Sequence, residues 1–438
     1  MKETEKGSRK NFFCISSFQS MAMFRRGLFY SYLSIYLRHF LGLSVTETTL
    51  FATLPMVLNI VFQTFVWGVI SDRYQKRRTL IILGELFAAV STLLVWYIHT
   101  APGSKHFAGY IVIIGMTVVE IFWSASNVGW TAIISDFYRE QDRVSVQGKL
   151  ATIGAVGRFI GVWIGGLAYD GLSRFYEGWG FDRGFLFFVA SGVMLLSTVP
   201  IFFIPEGGIG KRKGTERESL IKGRLTDLFR ISKPFFIFLI AMVFINFGRN
   251  SVALIKAQYL TVEKGFDVSS RMLGYIVNMA SIATFTMGLV IGRISRRFSD
   301  SIILFSGAVI ALIHLLGFML ARELGTIFAS SFLGGVAEVV IYSASYSYAS
   351  KLIPPEKRGK QFALFNATFF LSWGLAGTFF AGPVADLLIR IGKPQIFSYQ
   401  MSFLSAAILV FVGIFILLYA FKLLGQDGRE IRSQGKTT

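Results

Sequence analysis

The sequence predicts an all-α polytopic membrane protein, with twelve transmembrane helices in two pseudo-symmetric six-helix bundles. Three observations predict it. The 438 residues are 53% hydrophobic and only 16% charged, with 45 Phe against nine Pro, and the mean hydropathy is +0.57; soluble domains do not have this composition. Twelve apolar runs are each long enough for the ~20 residues that cross a hydrocarbon core, and one polar stretch divides them six and six. The second half repeats landmarks of the first at a constant offset.

The runs fall at 12–37, 46–70, 79–99, 108–136, 147–170 and 184–204, then at 235–260, 271–292, 301–321, 325–350, 360–389 and 397–422. The first ten residues are polar and Lys/Arg-rich, and the run behind them continues into a full span, so the start reads as a retained signal anchor. Between the two sets lies Pro205 to Lys233, with Glu206-Gly-Gly-Ile-Gly-Lys211-Arg-Lys-Gly and later Lys222-Gly-Arg224. The expected domains are an N-terminal bundle over 1–204, a cytoplasmic linker over 205–233, and a C-terminal bundle with a short cytoplasmic tail over 234–438.

A net charge of +19 would suit a nucleic-acid binder, but its distribution does not. With Lys149, Arg271, Lys360 and Lys422 at the run ends counted with the adjoining loops, thirty of the 44 Lys and Arg residues fall in segments on one side of the spans, nine on the other and five within them. This positive-inside bias places both termini in the cytoplasm and implies contact with the lipid bilayer and no nucleic acid. Cys14 is the single cysteine, which excludes an intramolecular disulfide and a thiolate metal cluster. No G-x-x-x-x-G-K-[ST] or H-E-x-x-H pattern occurs, and only the linker is long enough to hold extra structure. The chain is therefore expected to be no enzyme, to use no cofactor and no metal, and to act as a monomer in the cell (inner) membrane on a small-molecule substrate.

The second and third runs meet at Gly68-Val-Ile-Ser-Asp72-Arg73-Tyr-Gln-Lys76-Arg77-Arg78. Five charges at a bend cannot sit mid-bilayer, so this is a short water-side hairpin. Gly68 is expected to let two helices approach closely, and Asp72 to accept hydrogen bonds at a helix N-terminus. Glycine, aspartate four residues on, arginine, then a basic run: this order resembles the signature loop between helices 2 and 3 of the major facilitator superfamily, the twelve-helix secondary transporters. One position departs, since Gln75 stands where the family has a second glycine. Asp136, ahead of Arg139, Asp142 and Arg143, and Pro354-Pro-Glu356-Lys-Arg358-Gly359 between the tenth and eleventh runs resemble the family's conformational latch. The resemblance implies that Gly68, Asp72, Arg73, Arg77 and Asp136 gate, with Asp72 and Asp136 exchanging arginine partners as the halves rock.

The repeat is independent of that loop. Arg26 to Leu50 aligns without a gap on Arg249 to Leu273, matching Arg26 with Arg249, Tyr36-Leu37 with Tyr259-Leu260, Gly42 with Gly265 and Val45 with Val268. Gly288-Leu-Val-Ile-Gly292-Arg293-Ile-Ser-Arg296-Arg297 echoes the hairpin. Val119-Glu120 to Ser126 echoes Ala337-Glu338 to Ser345 with one inserted residue. Two six-helix halves about a pseudo-two-fold axis along the membrane normal would carry such a pattern.

Ionisable residues inside spans are costly and functional by default. Arg25 and Arg26 fall in the first span, Glu85 in the third, Glu120 in the fourth, Arg158 in the fifth, Arg249 and Lys256 in the seventh, and Glu338 in the tenth. The resemblance implies that the first, fourth, seventh and tenth spans line a central cavity. The repeat-related pairs Arg26/Arg249 and Glu120/Glu338 lie on those spans. They are read as a midplane site in which the arginines bind an anionic group and the glutamates carry the coupling proton; the competing reading is that each Arg neutralises a Glu in its own half. Arg25 points about 100° away from Arg26 around a helix and is assigned to packing. Tyr30, Trp123, Asn127, Asn246, Asn250 and Tyr342 share helical faces with these charges and complete the expected substrate site, with Trp130 and Tyr346 nearby. Aromatics with amides and hydroxyls suit an amphipathic solute. His314 is read as a packed histidine.

The fifth span carries Gly148, Gly157, Gly161, Gly165 and Gly166, similar to the antiporter motif of drug:proton exporters, with Val162 in place of its proline. These glycines are expected to press the fifth span against the eighth. The exporters' fourth-span arginine has no counterpart near Met116. The function expected is secondary active transport of a small organic anion or zwitterion by alternating access, coupled to protons. The alternatives are a polyspecific drug:proton antiporter and, more remotely, a non-transporting membrane receptor.

Overall fold

A computed structural model describes residues 2–138, 140–171, 179–207, 232–353 and 358–434, and all regular structure among them is helical. The first half contains α1 (Lys2–Ile35), which widens into a π turn at Tyr36–Phe40. It continues with α2 (Val45–Phe62) and α3 (Gly68–Tyr74), joined by a π turn at Gln63–Trp67, then α4 (Arg77–His99) and α5 (Lys105–Phe137). Next come α6 (Glu140–Gly166), a π turn at Leu167–Gly171, the short α7 (Trp179–Asp182) and α8 (Phe185–Phe202). The second half contains α9 (Lys233–Ser251), α10 (Ile255–Leu260), α11 (Ser270–Ile294), α12 (Asp300–Leu320) and α13 (Leu324–Leu352). It closes with α14 (Arg358–Ala376), a π turn at Gly377–Ala381, α15 (Gly382–Arg390) and α16 (Gln395–Gln434). Most of the expected linker, 208–231, lies outside the described residues, as do Arg139, Pro354, Glu356 and the side chains of Asp142, Arg143 and Arg358.

Eleven of these spans are long and apolar enough to cross a membrane. The first, α1, has the length at 34 residues, but Ser16, Ser17, Gln19, Ser20, Arg25 and Arg26 dilute its apolar run. The chain is an integral, all-α membrane protein. One span expected to be continuous is not: the seventh breaks at 252–254 between α9 and α10, directly after Arg249 and Asn250, while the second, fifth and eleventh run on through π turns. The fifth and eleventh spans, related by the repeat, thus both carry a π turn; such turns concentrate at functional sites.

Local sequence explains the main starts. Ser44 accepts from the Glu47 amide while the Glu47 carboxylate accepts from the Ser44 amide, a complete capping box for α2. Ser104 accepts from the Phe107 amide at the start of α5. The start of α4 is capped from far along the chain: Glu206 accepts from the Thr79 amide at 2.9 Å, from its hydroxyl at 3.1 Å and from Arg78 Nε at 3.1 Å.

The chain divides into two compact units, Met1–Arg212 with Lys256–Asn278, and Lys213–Ile255 with Met279–Thr438. In the first unit α1 and α6 pack backbone to backbone. A Cβ on Gly157 would collide with the Ser20 carbonyl, one on Gly161 with the Phe24 carbonyl, and one on Gly165 would lie 2.6 Å from the Leu28 carbonyl oxygen. The glycine edge of the fifth span therefore faces the first span, which corrects the expectation that it presses on the eighth. Only Gly166 meets α11, at Ser270 and Arg271. α11 instead rests on the adjoining face of α6, where Asn278 Nδ2 donates to the Phe159 carbonyl at 3.3 Å. In the same unit, α10 joins α2 through Gln258 Nε2 and Thr48 Oγ1 at 2.6 Å. In the second unit α9 makes a close contact with α16, Gly248 lying against the Ala406 carbonyl.

Candidate substrate site and gate

The first unit holds a cluster of intramembrane charge on α1, α4 and α5. Successive residues of α1 reach one aromatic ring: the Arg26 guanidinium lies 4.2 Å from the centre of the Trp123 ring and the Arg25 guanidinium 5.6 Å from it. Cation–π contacts of this kind gain strength when desolvated. Arg26 is within electrostatic reach of Glu120, Tyr30 and Arg158. Tyr30 donates a hydrogen bond to Glu120 Oε1, joining α1 to α5. Glu85, 2% exposed, accepts from Ser126 Oγ at 2.8 Å and is within reach of Arg25. Gly84 permits this by letting α4 and α5 approach, since a Cβ there would sit 2.7 Å from the Ser126 amide nitrogen.

Arg25, expected to point away from Arg26, lies beside it against Trp123. Its side chain is 1% exposed, and its Nε and Nη2 have no hydrogen-bond partner. Those two nitrogens form one lateral edge of the guanidinium, the edge that takes a carboxylate or phosphate in two parallel bonds. A buried guanidinium with that edge unpaired is costly, and Arg25 reaches the same ring as Arg26. The signal was present in the sequence: the pair Arg25-Arg26 in one span, with Glu85 and Glu120 in two others. Asn127 and Trp130 follow on α5, half-buried.

The second unit holds fewer charges. Arg249, half-buried on the last turn of α9, is 5.9 Å from the Phe369 ring centre and within electrostatic reach of Glu338; its Nε also lacks a partner. Glu338 and Tyr342 are exposed, and Tyr342 packs edge-on against Phe369. Asn246 and Asn250 are buried between α9 and α14, donating to Thr368 Oγ1 at 3.2 Å and to Ser372 Oγ at 2.7 Å. They brace two helices, a role the sequence reading did not give them. His314 is packed as expected, with Nδ1 2.6 Å from the Ser330 carbonyl oxygen.

The hairpin is tighter than expected. α3 runs to Tyr74, so Asp72 and Arg73 sit on helix and only Gln75 and Lys76 connect α3 to α4. Gln75 has φ +52°, the left-handed conformation that glycine adopts freely, which gives the departure from the family pattern a physical meaning. Gly68 does not serve a neighbouring helix; a Cβ there would lie 2.7 Å from the Gln63 carbonyl oxygen of the preceding π turn. Arg77 donates to the Ser71 carbonyl and hydroxyl, and its Nε lies 3.6 Å from Asp136 Oδ2, with both side chains largely buried. Arg73 is exposed, and the side chain of Asp72 lies outside the described residues. A second ion pair was missed: Asp300, which opens α12, is 2.6 Å from Lys351 near the end of α13 and accepts from Ser347 at 2.8 Å. It occupies the repeat-related place of Arg77 and Asp136 with the charges reversed.

Comparison with known proteins follows this geometry. The family model described as Major Facilitator Superfamily matches residues 15–378 and again 238–437. The chain belongs to the Major Facilitator Superfamily. No curated protein sequence matches it. Among solved structures it is similar to a bacterial homologue of the human lysosomal transporter Spinster, at 15% identity over 96% of this chain and 98% of the other, with TM-score 0.72. It is also similar to the nucleoside transporter NupG, at 14% identity over 94% and 99% with TM-score 0.75, and to a bacterial metal transporter, at 11% identity over 94% and 98% with TM-score 0.66. At these identities the likeness shows the superfamily fold.

Proposed function

We propose that this superfamily member is a secondary active transporter of a small organic anion or zwitterion, working by alternating access and coupled to a proton gradient. The observation that carries the reading is the Arg25–Arg26 pair beside Trp123, with the bidentate edge of Arg25 buried and unfilled. Fixed, desolvated guanidinium groups bind carboxylate or phosphate strongly and with geometric selectivity. Arg249 supplies a further cation in the second unit. Glu120, hydrogen-bonded to Tyr30, and Glu338 are the proposed proton carriers, because a carboxylate beside arginine changes its proton affinity when an anion claims that arginine. The expected domains, 1–204 and 234–438 about a cytoplasmic linker, the inner-membrane location, cytoplasmic termini and monomeric state belong to the same proposal.

The test is thermal stabilisation of the purified protein across organic anions, phosphorylated metabolites and lipophilic cations. An anion at 100 times its Kd should stabilise by about 2.7 kcal/mol, and Arg26→Gln and Arg249→Ala should each abolish most of that gain. Stabilisation that persists in both variants sinks the reading. One observation favours a second reading, the drug:proton antiporter: Glu338 and Tyr342 are exposed beside Phe369, an acidic and aromatic face that suits a lipophilic cation. Stabilisation by unrelated cations, lost in Glu338→Gln, would select it. Substitution of Glu120 and Glu338 by Gln should abolish proton-driven uptake and spare exchange; intact coupling in both variants removes the proton assignment.

A further inference from the structure

A cavity lies at the other end of the first unit from Arg77 and Asp136. It measures about 590 Å³, within the range of sites that hold small ligands. The ends of α1, α4 and α5 and the short α7 build it, so it is separate from the charge cluster at Arg25 and Arg26. Its floor is aromatic: Tyr36 stacks on Phe40 at 5.1 Å, and Trp96 is fixed by donating from Nε1 to the Asp182 carbonyl at 3.1 Å.

The floor's polar groups are already used. His99 Nδ1 lies 2.7 Å from the Trp96 carbonyl oxygen and donates there, and Nε2 pairs with the Tyr36 hydroxyl at 3.0 Å. Both ring nitrogens of His99, 2% exposed, are thereby engaged, and so is the Tyr36 hydroxyl. The floor consequently offers ring faces and no spare donor. Charge enters only at the exposed side of the cavity. Lys105 stands 4.4 Å from the Phe40 ring centre, and Arg183 lines the same opening; both are exposed. Asp182 is the one carboxylate among the lining residues, which leaves the opening with a net positive charge.

We propose that this cavity binds a small amphipathic anion, its apolar portion on the Tyr36–Phe40–Trp96 floor and its negative group held by Lys105 and Arg183. A free solute and the headgroup of an anionic lipid share this chemistry. The Lys105 ammonium already lies against a ring and forms a ready seat for such a ligand, because a negative group meets the ammonium while its apolar tail covers the ring.

The test uses the full chain in phosphatidylcholine nanodiscs, titrated calorimetrically with 2-naphthoate. The expected result is a binding component that weakens at least tenfold in the double variant Lys105→Gln/Arg183→Gln and persists in Arg26→Gln. A second arm adds phosphatidylglycerol to the nanodiscs and counts retained lipid by native mass spectrometry. An adduct lost only in the double variant identifies the lipid as the occupant, and a naphthoate component alone identifies a free solute. If neither 2-naphthoate binding nor phosphatidylglycerol retention depends on Lys105 and Arg183, the proposal is overturned.

Discussion

Asp136→Asn should loosen the end of the first unit where α3, α4 and α5 meet, and the chain carries its own reporter for that event. Arg77 Nε and Asp136 Oδ2 are 3.6 Å apart, with side chains 9% and 12% exposed. At an effective dielectric constant of 20, two unit charges at that distance attract by about 5 kcal/mol. Desolvation, and the bonds from Arg77 to Ser71 that survive the change, offset more than half, which leaves about 2 kcal/mol. Asparagine keeps the shape and removes the charge. The neighbouring apolar cluster contains Ile81, Ile133 and Ile134 together with Cys14, the only cysteine and 5% exposed. A thiol reagent reaches Cys14 only through local opening, so its labelling rate follows the open fraction when opening is fast. A loss of about 2 kcal/mol corresponds to roughly a 30-fold faster maleimide reaction. Arg77→Gln should act alike, and the double variant should gain less than the product of the two single effects, because either change alone already breaks the Arg77–Asp136 pair. Arg73→Gln, an exposed control, should change nothing. A rise of less than twofold in Asp136→Asn would refute the claim that this pair holds the end of the unit closed.

Three further outcomes follow from single contacts. Gln75→Gly should raise the melting temperature slightly, since φ +52° costs a side-chain-bearing residue about 1 kcal/mol and glycine's entropy returns only part of that; a lower melting temperature rejects it. Charge reversal at Asp300 or Lys351 alone should destabilise by about 1–3 kcal/mol, and Asp300→Lys with Lys351→Asp should recover most of the loss in thermal unfolding, the pair being 2.6 Å apart. Gly161→Leu should prevent accumulation of folded protein in fluorescence-detected size exclusion, because its side chain would enter the α1 backbone at Phe24; Gly192→Leu, with open space around it, should behave as wild type.

The parts of the fold legible in the sequence are those that membrane solvation dictates. Span length, the water-side hairpin and the division into halves follow from the cost of placing backbone or charge in hydrocarbon, and that cost acts on composition. Packing direction is not composition. The glycines of α6 were legible as a close-contact edge, but nothing in their spacing says that α1, not α11, fills it. Gln75 could be noticed as a departure, yet its left-handed backbone is visible only once α3 is seen to run to Tyr74. Glu206 capping α4 and Asp300 pairing with Lys351 join residues 127 and 51 places apart, and no local pattern announces either. In the candidate site, Arg26, Tyr30, Trp123 and Glu120 come together as their shared faces implied. Helical-wheel geometry misled for Arg25 because a long flexible side chain reaches the same ring from the next position, so a 100° separation at Cα does not separate two guanidinium groups.

The repeat shows how the two halves came to differ. Positions 27 and 250 correspond under the alignment that pairs Arg26 with Arg249. At the first, Gly27 lets α1 touch α6 directly, for a Cβ there would collide with the Arg158 carbonyl. At the second, Asn250 reaches α14 through a hydrogen bond to Ser372, and Asn246 does the same one turn earlier through Thr368. A glycine contact draws two backbones together and leaves the remaining faces of α1 free to carry Arg25 and Arg26 against Trp123. The amide–hydroxyl contacts commit Asn246 and Asn250 of α9 to bracing. α9 then ends within two residues of Arg249, at the break before α10, and Glu338 stays exposed while Glu120 is buried and bonded to Tyr30. The repeat-related pair of charges is therefore set in a desolvated surround in one half and beside an interrupted helix in the other. Electrostatic interactions strengthen with desolvation and fixed geometry, which is why the proposed anion recognition is assigned to the first half.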